Sequence, residues 1–436
     1  NWESLDDRPV PDWFTDAKFG IFIHWGLYSV PAWGPTKDVG VYEKYAEWYW
    51  YSLMTPGRES HGQFNQIHRK FFGDGTPYQL FVEGFTCEMF EPNEWAKIFK
   101  ESGARYIVLT SKHHEGFALW PSKHAWNWNA NDVGPRRDLA GDLTKAVRGV
   151  GLRMGFYYSL YEWFNPLYQS DVDNYVENHM LPQMYDLVNR YEPDVIWVDG
   201  EWDHDYKVWR STEFLSWLFN ESPVRDKVVV NDRWGKNTRG KHGSFYTTEY
   251  DLVHEEDASG QSMDHPWEEC RGIGTSFGYN RNENLSNYST SEELVHILID
   301  KVARGGNLLL NVGPTADGRI PVIMQQRLKD VGDWLAVNGE AIYGTRKWKN
   351  APKISADTRD FFTVKGGDLF VLTTEFPTGP IEIEGVKTVR NVSLLGSDIE
   401  MSYVQSGNRI TIGVPAITPA NNPGNHAWVF KLEGAL

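Results

Sequence analysis

The clearest indication of the fold comes from residues 193–202, which read Pro193-Asp194-Val195-Ile196-Trp197-Val198-Asp199-Gly200-Glu201-Trp202. Residues 195–198 are apolar, and an aspartate stands on either side of them. A short apolar run of this kind is typical of a parallel strand that is buried on both faces. In an α/β barrel such a strand presents its last residue on the face where active sites form. We therefore predict that Asp199 stands on the functional face of a barrel.

Strand-like and helix-like segments alternate along the first 345 residues. Strands are predicted at 19–24, 106–109, 152–158, 195–198, 228–231, 243–250, 276–278 and 307–311. Helices are predicted at 92–102, 139–150, 172–190, 212–219, 291–303 and 322–335. This alternation predicts an α/β fold, a (β/α)8-like TIM barrel over residues 1–345. The sixth and seventh strands have the weakest pattern, which leaves an irregular or incomplete barrel open.

The pattern changes after residue 346. Short alternating runs are separated by Gly, Pro and Asn, and they lie at 361–364, 369–372, 381–383, 392–395, 409–412 and 428–432. This pattern predicts a C-terminal antiparallel β-sandwich over residues 346–436.

A long aromatic insertion at 25–90 follows the first strand, and long insertions on a rigid scaffold usually carry function.

Composition narrows the class of partner. The net charge of −16 argues against binding to nucleic acid or to anionic lipid. No apolar run approaches the ~18 residues that cross a membrane. The chain contains 20 Trp, 21 Tyr and 22 Phe, and this excess suits either a carbohydrate site, where sugar C–H faces stack on rings, or a large aromatic core.

The two cysteines exclude a disulfide framework, and whether Cys87 and Cys270 pair is open.

The chain starts at Asn1 without a signal peptide, which suggests a mature form that is secreted, periplasmic or lysosomal. Four matches to the glycosylation pattern add weak support: Asn220, Asn284, Asn287 and Asn391. The sequence leaves open whether the chain forms a homo-oligomer.

Five motifs together carry a family resemblance. They are Trp-Phe-Thr-Asp-Ala-Lys-Phe-Gly-Ile-Phe-Ile-His-Trp-Gly at 13–26, Lys-His-His-Glu-Gly-Phe at 112–117, Trp-Val-Asp-Gly at 197–200, Asn-Asp-Arg-Trp-Gly at 231–235 and Asn-Leu-Leu-Leu-Asn-Val-Gly-Pro at 307–314. The set resembles the α-L-fucosidases of glycoside hydrolase family 29 over essentially the whole chain. The resemblance implies a catalytic barrel, a C-terminal β-sandwich and a retaining exo-glycosidase. The substrates would be fucosylated oligosaccharides or glycoconjugates, with neither a metal nor an organic cofactor.

The reaction implied by this resemblance needs two carboxyl groups about 5–5.5 Å apart. One attacks as an ionised nucleophile, and the other holds a proton as the acid/base. The resemblance places the nucleophile at Asp199. It favours Glu249 as the acid/base with Glu268 as the rival, and Asp251 and Glu255 are less favoured candidates.

Three histidines follow the first two strands on the face of Asp199. His24, His113 and His114 are predicted to bind sugar hydroxyls, because a neutral imidazole both donates and accepts a hydrogen bond. A His-His-Glu cluster also suggests a metal site. We reject the metal site because adjacent residues of a strand point in opposite directions.

Further binding residues are proposed on different grounds. The resemblance places Glu47 on sugar hydroxyls and Trp48 beside the ring, with an ordinary packed loop as the competing explanation. Arg233 ends the fifth strand, where its charge would hold the nucleophile ionised or bind a hydroxyl.

Fucose carries a methyl group at C6, so its site needs an apolar pocket. Phe277 is the candidate for that pocket, with Trp197 lining the site and Tyr158 as a further wall residue. Core packing is the competing explanation for all three aromatics. Two other functions stay open: a retaining α-glycosidase for a related sugar such as an α-L-galactoside, and a fucose-binding protein without catalysis.

Overall fold

The computed structural model describes residues 1–252 and 264–436. One curled sheet contains eight parallel strands: Phe19–Ile23 (β1), Tyr106–Lys112 (β2), Arg153–Ser159 (β3), Val195–Asp199 (β4), Val229–Val230 (β5), Tyr246–Glu249 (β6), Trp267–Gly272 (β7) and Gly306–Val312 (β8). Their order in the sheet is β5-β4-β3-β2-β1-β8-β7-β6. The edge strands approach each other, because the amides of Ser244 and Phe245 both donate to the carbonyl of Val230.

Helices follow or flank these strands. The α-helices are Trp2–Asp6, Asp12–Ala17, Tyr49–Met54, His61–Phe72, Pro92–Glu101, Leu139–Gly149, Pro166–Ser170, Val172–Tyr175, Leu181–Tyr191, Ser211–Asn220, Ser291–Ala303 and Val322–Asn338. Short 3₁₀ turns are Leu27–Ser29, Val41–Lys44, Ala46–Trp48, Tyr78–Gly84, Leu285–Asn287 and Gly339–Ala341. The helices tend to bury one apolar face; Leu139–Gly149, for example, buries Leu139, Leu143 and Val147.

Side chains of the strands alternate between two hydrophobic layers. On β4, Ile196 and Val198 join the layer packed under the helices, whereas Val195 and Trp197 join a separate cluster inside the curled sheet. Successive residues of a strand face opposite sides, so Asp199 faces inward with Trp197. The inward positions therefore end in a polar residue at the carboxyl end of β4.

The seventh strand is not where the sequence predicts it. The structure places β7 at Trp267–Gly272, and residues 276–278 lie in the loop that follows. The adjacent Glu268 and Glu269 make this segment look solvated, yet both side chains are buried. Their carboxylates find hydrogen-bond donors on other strands, for example the hydroxyl of Tyr106 for Glu268 and that of Thr248 for Glu269.

The helix predicted at 172–190 is interrupted by a wider π-turn at Val176–Met180. Pro182 lies just after this turn and has no amide hydrogen, so one regular helical bond is missing there. The turn carries His179, whose Nε2 lies 2.7 Å from Oε1 of Glu162. The same oxygen accepts from Nζ of Lys112 at 2.7 Å, so a buried charged network lies beside the end of β2.

Replacing Lys112 with methionine should destabilise the fold by about 3–5 kcal/mol, because Glu162 then stays buried without its lysine. Chemical denaturation of both proteins measures the difference. The matched control is Lys329→Met, which breaks an exposed helical pair with Asp333 and should leave the midpoint unchanged. Equal midpoints for the Lys112 variant and the wild type would contradict the prediction.

Two antiparallel sheets occupy the C-terminal part. The strands are Arg346–Lys347 (β9), Asp360–Lys365 (β10), Asp368–Thr373 (β11), Ile381–Glu384 (β12), Asn391–Leu394 (β13), Tyr403–Ser406 (β14), Arg409–Ile412 (β15) and Trp428–Glu433 (β16). A five-stranded sheet has the order β13-β16-β11-β10-β9 and a three-stranded sheet the order β12-β15-β14. Both sheets contribute to one cluster, which includes Leu369, Ile383, Ile410 and Phe430. None of the predicted runs corresponds to β9 or β14.

Two further findings bear on the predictions. Cys87 and Cys270 are both buried and free. Within residues 1–252 and 264–436, no helix has the length and apolar character needed to cross a membrane.

Candidate active site

A cavity of about 360 Å³ opens at the carboxyl ends of the parallel strands. This volume lies in the range of small-molecule sites. The lining residues are His24, Tyr42, Tyr45, Glu47, Trp48, Arg58, His113, Asp199, Trp202, Arg233, Arg239, Glu249 and Phe277. A larger hollow of about 790 Å³ lies near Asp251 and Lys301, but these two side chains pair with each other, so we take the smaller cavity as the candidate site.

Asp199 is held as an anion at the end of β4. Its Oδ2 accepts from the hydroxyl of Tyr157 at 2.9 Å, and its Oδ1 accepts from Nη1 of Arg233 at 3.0 Å. Burial by itself raises the pKa of Asp199, but the guanidinium of Arg233, with that of Arg239 3.8 Å away, outweighs it and lowers the pKa to about 2. The carboxylate is therefore ionised at neutral pH.

Glu249 ends β6 and faces the same guanidinium. Its Oε1 lies 4.0 Å from Nη2 of Arg233, and its side chain is 17% exposed. Burial raises the pKa of Glu249, against the opposing pull of Arg233 and with help from the charge of Asp199. One cavity thus contains two carboxyl groups whose environments push their pKa values in opposite directions.

Glu268 lies deeper in the sheet than Glu249. It stands near the start of β7, and the register places Cys270, not Glu268, beside Glu249. Glu268 accepts from the hydroxyl of Tyr106 at 2.5 Å and from Nε1 of Trp197 at 2.9 Å. It does not line the cavity, so the prediction of Glu268 as the acid/base loses its geometric basis.

Two further carboxyl groups were candidates for the acid/base. Asp251 forms ion pairs with Arg271 and Lys301 and does not line the cavity. Glu255 lies outside the described residues. Glu249 is therefore the predicted acid/base that the structure brings into one cavity with Asp199.

The orientation of His24 follows from a chain of hydrogen bonds. Nδ2 of Asn311 donates to the carbonyl of Phe277 at 2.7 Å, so Oδ1 of Asn311 is left to accept from Nδ1 of His24, also at 2.7 Å. Burial lowers the pKa of His24 to about 4. The ring is therefore neutral, and its Nε2 is an acceptor.

His113 and His114 follow β2 directly, so strand alternation does not separate them as predicted. Their ring centroids lie 4.0 Å apart, and Nε2 of His114 lies 3.7 Å from Oδ2 of Asp199. Nε2 of His114 and the hydroxyl of Tyr45 are buried and have no hydrogen-bond partner within the described part of the chain. Such atoms indicate a polar ligand, because unpaired buried groups are costly.

The long insertion contributes Glu47 and Trp48 to the lining of the cavity. Oε2 of Glu47 accepts from the amide of Gly278 at 2.8 Å and from the hydroxyl of Ser276 at 3.3 Å. Burial raises the pKa of Glu47 to about 8. The indole of Trp48 is half-buried and stands edge-on to His114, with centroids 5.0 Å apart.

Of the three aromatic residues predicted to line the site, one lines the cavity and two do not. Phe277 lines the cavity and packs against Tyr45 with centroids 5.2 Å apart. Trp197 lies below the cavity, with the guanidinium of Arg233 4.5 Å above its ring. Tyr158 faces the helices, where its hydroxyl donates to Gln183 at 2.8 Å. Tyr158 therefore does not line the cavity, and its neighbour Tyr157 is the residue that faces inward.

Several residues at the site were not predicted from the sequence. Tyr157 is one residue from the predicted Tyr158, and only the facing of β3 distinguishes them. Arg239 comes from an irregular loop and binds Glu201 at 2.5 Å while it approaches Asp199. The others are Tyr42, Tyr45, Arg58 and Trp202. Tyr42, Tyr45 and Arg58 belong to the insertion, whose aromatic content was the available signal.

No group of three His, Cys, Asp or Glu side chains in residues 1–252 and 264–436 is arranged to hold a metal ion. The carboxylates near Asp199 are engaged instead by guanidinium groups, as Arg239 with Glu201 illustrates. Metal-independent action stays a prediction that an assay must test.

Known proteins resemble this chain in sequence and in structure. The family model for alpha-L-fucosidase matches residues 1–340. The chain is 43% identical over 446 aligned residues to the human tissue alpha-L-fucosidase, covering 100% of this chain and 91% of that one. It is 42% identical to the alpha-L-fucosidase of Dictyostelium discoideum, covering 99% and 94%. A solved Thermotoga maritima alpha-fucosidase in complex with fucose superposes with a TM-score of 0.82 at 37% identity, covering 99% of both chains.

Identity above 40% over the full chain and the match of the family model confirm the resemblance found in the sequence. The structural match agrees with it over nearly all of both chains. The chain therefore belongs to the alpha-L-fucosidase family.

Proposed function

We propose that this chain hydrolyses terminal α-L-fucosyl linkages of glycans with retained anomeric configuration. The observation that carries the proposal is the pair of carboxyl groups on one cavity. Asp199 is kept ionised, the pKa of Glu249 is raised, and Arg233 approaches both. A retaining glycosidase needs this division between an anionic nucleophile and a protonated acid.

In the first step, Asp199 attacks C1 of fucose while Glu249 protonates the oxygen of the leaving group. A covalent fucosyl–Asp199 ester forms as the glycosidic bond breaks. In the second step, Glu249 takes a proton from water, and that water attacks C1 and releases Asp199. Arg233 and Tyr157 hold the carboxylate of Asp199 in place through their hydrogen bonds.

The sugar itself would be held by hydrogen bonds and one apolar contact. His24, His113, His114 and Glu47 bind hydroxyl groups, and Trp48 contacts the ring face. Phe277 contacts the C6 methyl, since its ring is surrounded by the rings of Tyr45, Tyr250 and Phe22. A hydroxymethyl group would lose hydrogen bonds with water there, which favours fucose over an α-L-galactoside.

Hydrolysis of an aryl α-L-fucoside, followed by NMR of the first-formed sugar, tests the proposal. We expect turnover with release of the α-anomer. Against an aryl α-L-galactoside, kcat/KM should be about 10- to 100-fold higher for the fucoside. A reversed preference would favour the related glycosidase, whereas fucose binding without turnover would favour the silent binding protein.

We also propose that the curled sheet is a closed (β/α)8-like barrel, irregular between β5 and β6, within a catalytic unit at 1–345. The bonds from Ser244 and Phe245 to Val230 support closure. Residues 346–436 would form a β-sandwich, supported by the hydrophobic cluster that the two antiparallel sheets share. A secreted, periplasmic or lysosomal location is supported by the exposure of Asn220, Asn284 and Asn391.

Replacing Arg233 with methionine should move the pH profile of kcat/KM upward. Both carboxyl groups lose the guanidinium that lowers their pKa, so Asp199 ionises and Glu249 deprotonates at higher pH. Activity requires ionised Asp199 and protonated Glu249, so the acid and basic limbs should both rise, by about 1–3 units for Asp199. Arg233→Lys keeps the charge and is the control, and unmoved limbs in the methionine variant would contradict the electrostatic role.

Incubation with EDTA should leave the rate of aryl α-L-fucoside hydrolysis unchanged, because the proposed steps use only carboxyl groups of the chain. The rate is compared with that of an untreated sample. Loss of activity that one added divalent metal restores would contradict metal-independent action.

A further inference from the structure

Glu115 is a buried acid to which the mechanism gives no role. It follows His113 and His114 directly, its side chain is 1% exposed, and it does not line the cavity. Its Oε2 has no hydrogen-bond partner among the residues that the structure describes. The atom that it faces is Nδ1 of His113, 3.8 Å away, which likewise lacks a partner there. Two unpaired buried polar atoms therefore lie 3.8 Å apart, one on the cavity residue His113 and the other on Glu115 outside the lining.

The imidazoles of His24 and His114 show that the partner of Nδ1 determines whether Nε2 donates or accepts a hydrogen bond. Nδ1 of His24 donates to Asn311, so its Nε2 accepts. The hydroxyl of Ser159 donates to the carbonyl of Tyr161, so it accepts from Nδ1 of His114, and Nε2 of His114 is again an acceptor. In each case, the group behind Nδ1 fixes which way the hydrogen bond to the sugar runs.

We propose that Glu115 is a positioning residue that donates its carboxyl proton to Nδ1 of His113 and so makes Nε2 of His113 a donor to a fucose oxygen. The site would then present two acceptors, His24 and His114, and one donor, His113, to the hydroxyls of the sugar. This role rests on the proposed function, because His113 acts on fucose. The proposed bond requires these two atoms, which lie 3.8 Å apart, to approach to about 3.2 Å or less.

The surroundings of Glu115 favour its neutral form. Burial raises the pKa of Glu115 to about 8, against the opposing charge of Lys112. Lys112 is itself bound to Glu162 at 2.7 Å. A buried carboxyl group that keeps its proton at pH 7 can donate a hydrogen bond, which an ionised one cannot.

The tautomer of His113 can be read directly from its side-chain ¹⁵N chemical shifts in the sugar-free protein at about pH 6.5, near the ordinary pKa of histidine. A long-range ¹H–¹⁵N spectrum distinguishes a protonated ring nitrogen from an unprotonated one, and the His113→Gln variant assigns the signals. We expect a protonated Nε2 for His113 and a protonated Nδ1 for His24 and His114. A protonated Nδ1 on His113 would overturn the proposal, whatever sugar the protein binds.

Two substitutions of Glu115 by residues of similar size distinguish a positioning role of its side chain from a packing role. Glu115→Gln retains a donor toward Nδ1, through its amide group, and should keep the Nε2 tautomer with L-fucose affinity changed less than about threefold. Glu115→Met offers no donor and should lose the tautomer preference and weaken L-fucose binding about tenfold by calorimetry. An unchanged tautomer in the methionine variant would overturn the proposal. If the wild type shows the expected tautomer but binds no fucose, the proposed function fails and the role of Glu115 in orienting His113 stands.

Discussion

Replacing Asp199 with alanine should lower kcat/KM by at least about 10⁴-fold for every α-L-fucoside, whatever its leaving group. The reason is that the attacking carboxylate is lost and its neighbours cannot replace it. Tyr157 and Arg233 both direct their hydrogen bonds to this carboxylate, and neither can form the ester. The measurement is steady-state kinetics on a series of aryl and alkyl fucosides.

Azide provides the decisive control for this variant. A small anion can occupy the space of the missing carboxylate and attack C1 from the same face, so azide should restore turnover and the product should be the inverted β-L-fucosyl azide. Asp203→Ala is the matched control, because Asp203 follows β4 on the exposed side and does not line the cavity. Its activity should stay within about twofold of the wild type. Formation of the α-azide by the Asp199 variant would show that the nucleophile lies elsewhere.

Replacing Glu249 with alanine should affect substrates according to their leaving group. Poor leaving groups need protonation as the bond breaks, so kcat/KM should fall about 10²- to 10⁴-fold for alkyl and sugar fucosides. A dinitrophenyl fucoside needs little protonation and should lose far less. A plot of log kcat/KM against the pKa of the leaving group should therefore be steeper for the variant than for the wild type.

Azide and the dependence on the leaving group also show which of Glu249 and Glu268 is the acid/base. In the Glu249 variant, Asp199 still forms the ester, so azide should release the retained α-L-fucosyl azide. Glu268→Gln disturbs the bonds to Tyr106 and Trp197 below the cavity, and any loss of activity should be equal for all leaving groups. A leaving-group dependence in the Glu268 variant, but not in the Glu249 variant, would reverse the assignment of the acid/base.

Some parallel strands were easy to predict because they are buried on both faces. The run before Asp199 is apolar at every position because β4 contacts the helices on one side and the interior on the other. Its last residue could be placed on the functional face from the sequence, since the carboxyl ends of parallel strands meet there. The strand β7 was missed for the opposite reason, because the burial of Glu268 and Glu269 depends on donors distant in sequence.

The choice between Tyr157 and Tyr158 shows a different limit. Both are aromatic, adjacent and buried, so no property of the strand tells which one faces inward. The register with β4 settles it, because Tyr157 pairs with Trp197 and Ser159 with Asp199. One residue of shift would exchange the two faces.

The family, most strands of the parallel sheet and the position of Asp199 and His24 at strand ends could all be read from the order of residues, because apolar runs and motifs are local features. The folded chain was needed to show that Glu249 and not Glu268 reaches the cavity, that Tyr157 holds Asp199, and which nitrogen of His24 and of His114 faces inward. Those outcomes depend on strand register and on hydrogen bonds between residues far apart in the chain. Nothing in the local order of residues specifies such pairings before the sheet curls and brings its edges together.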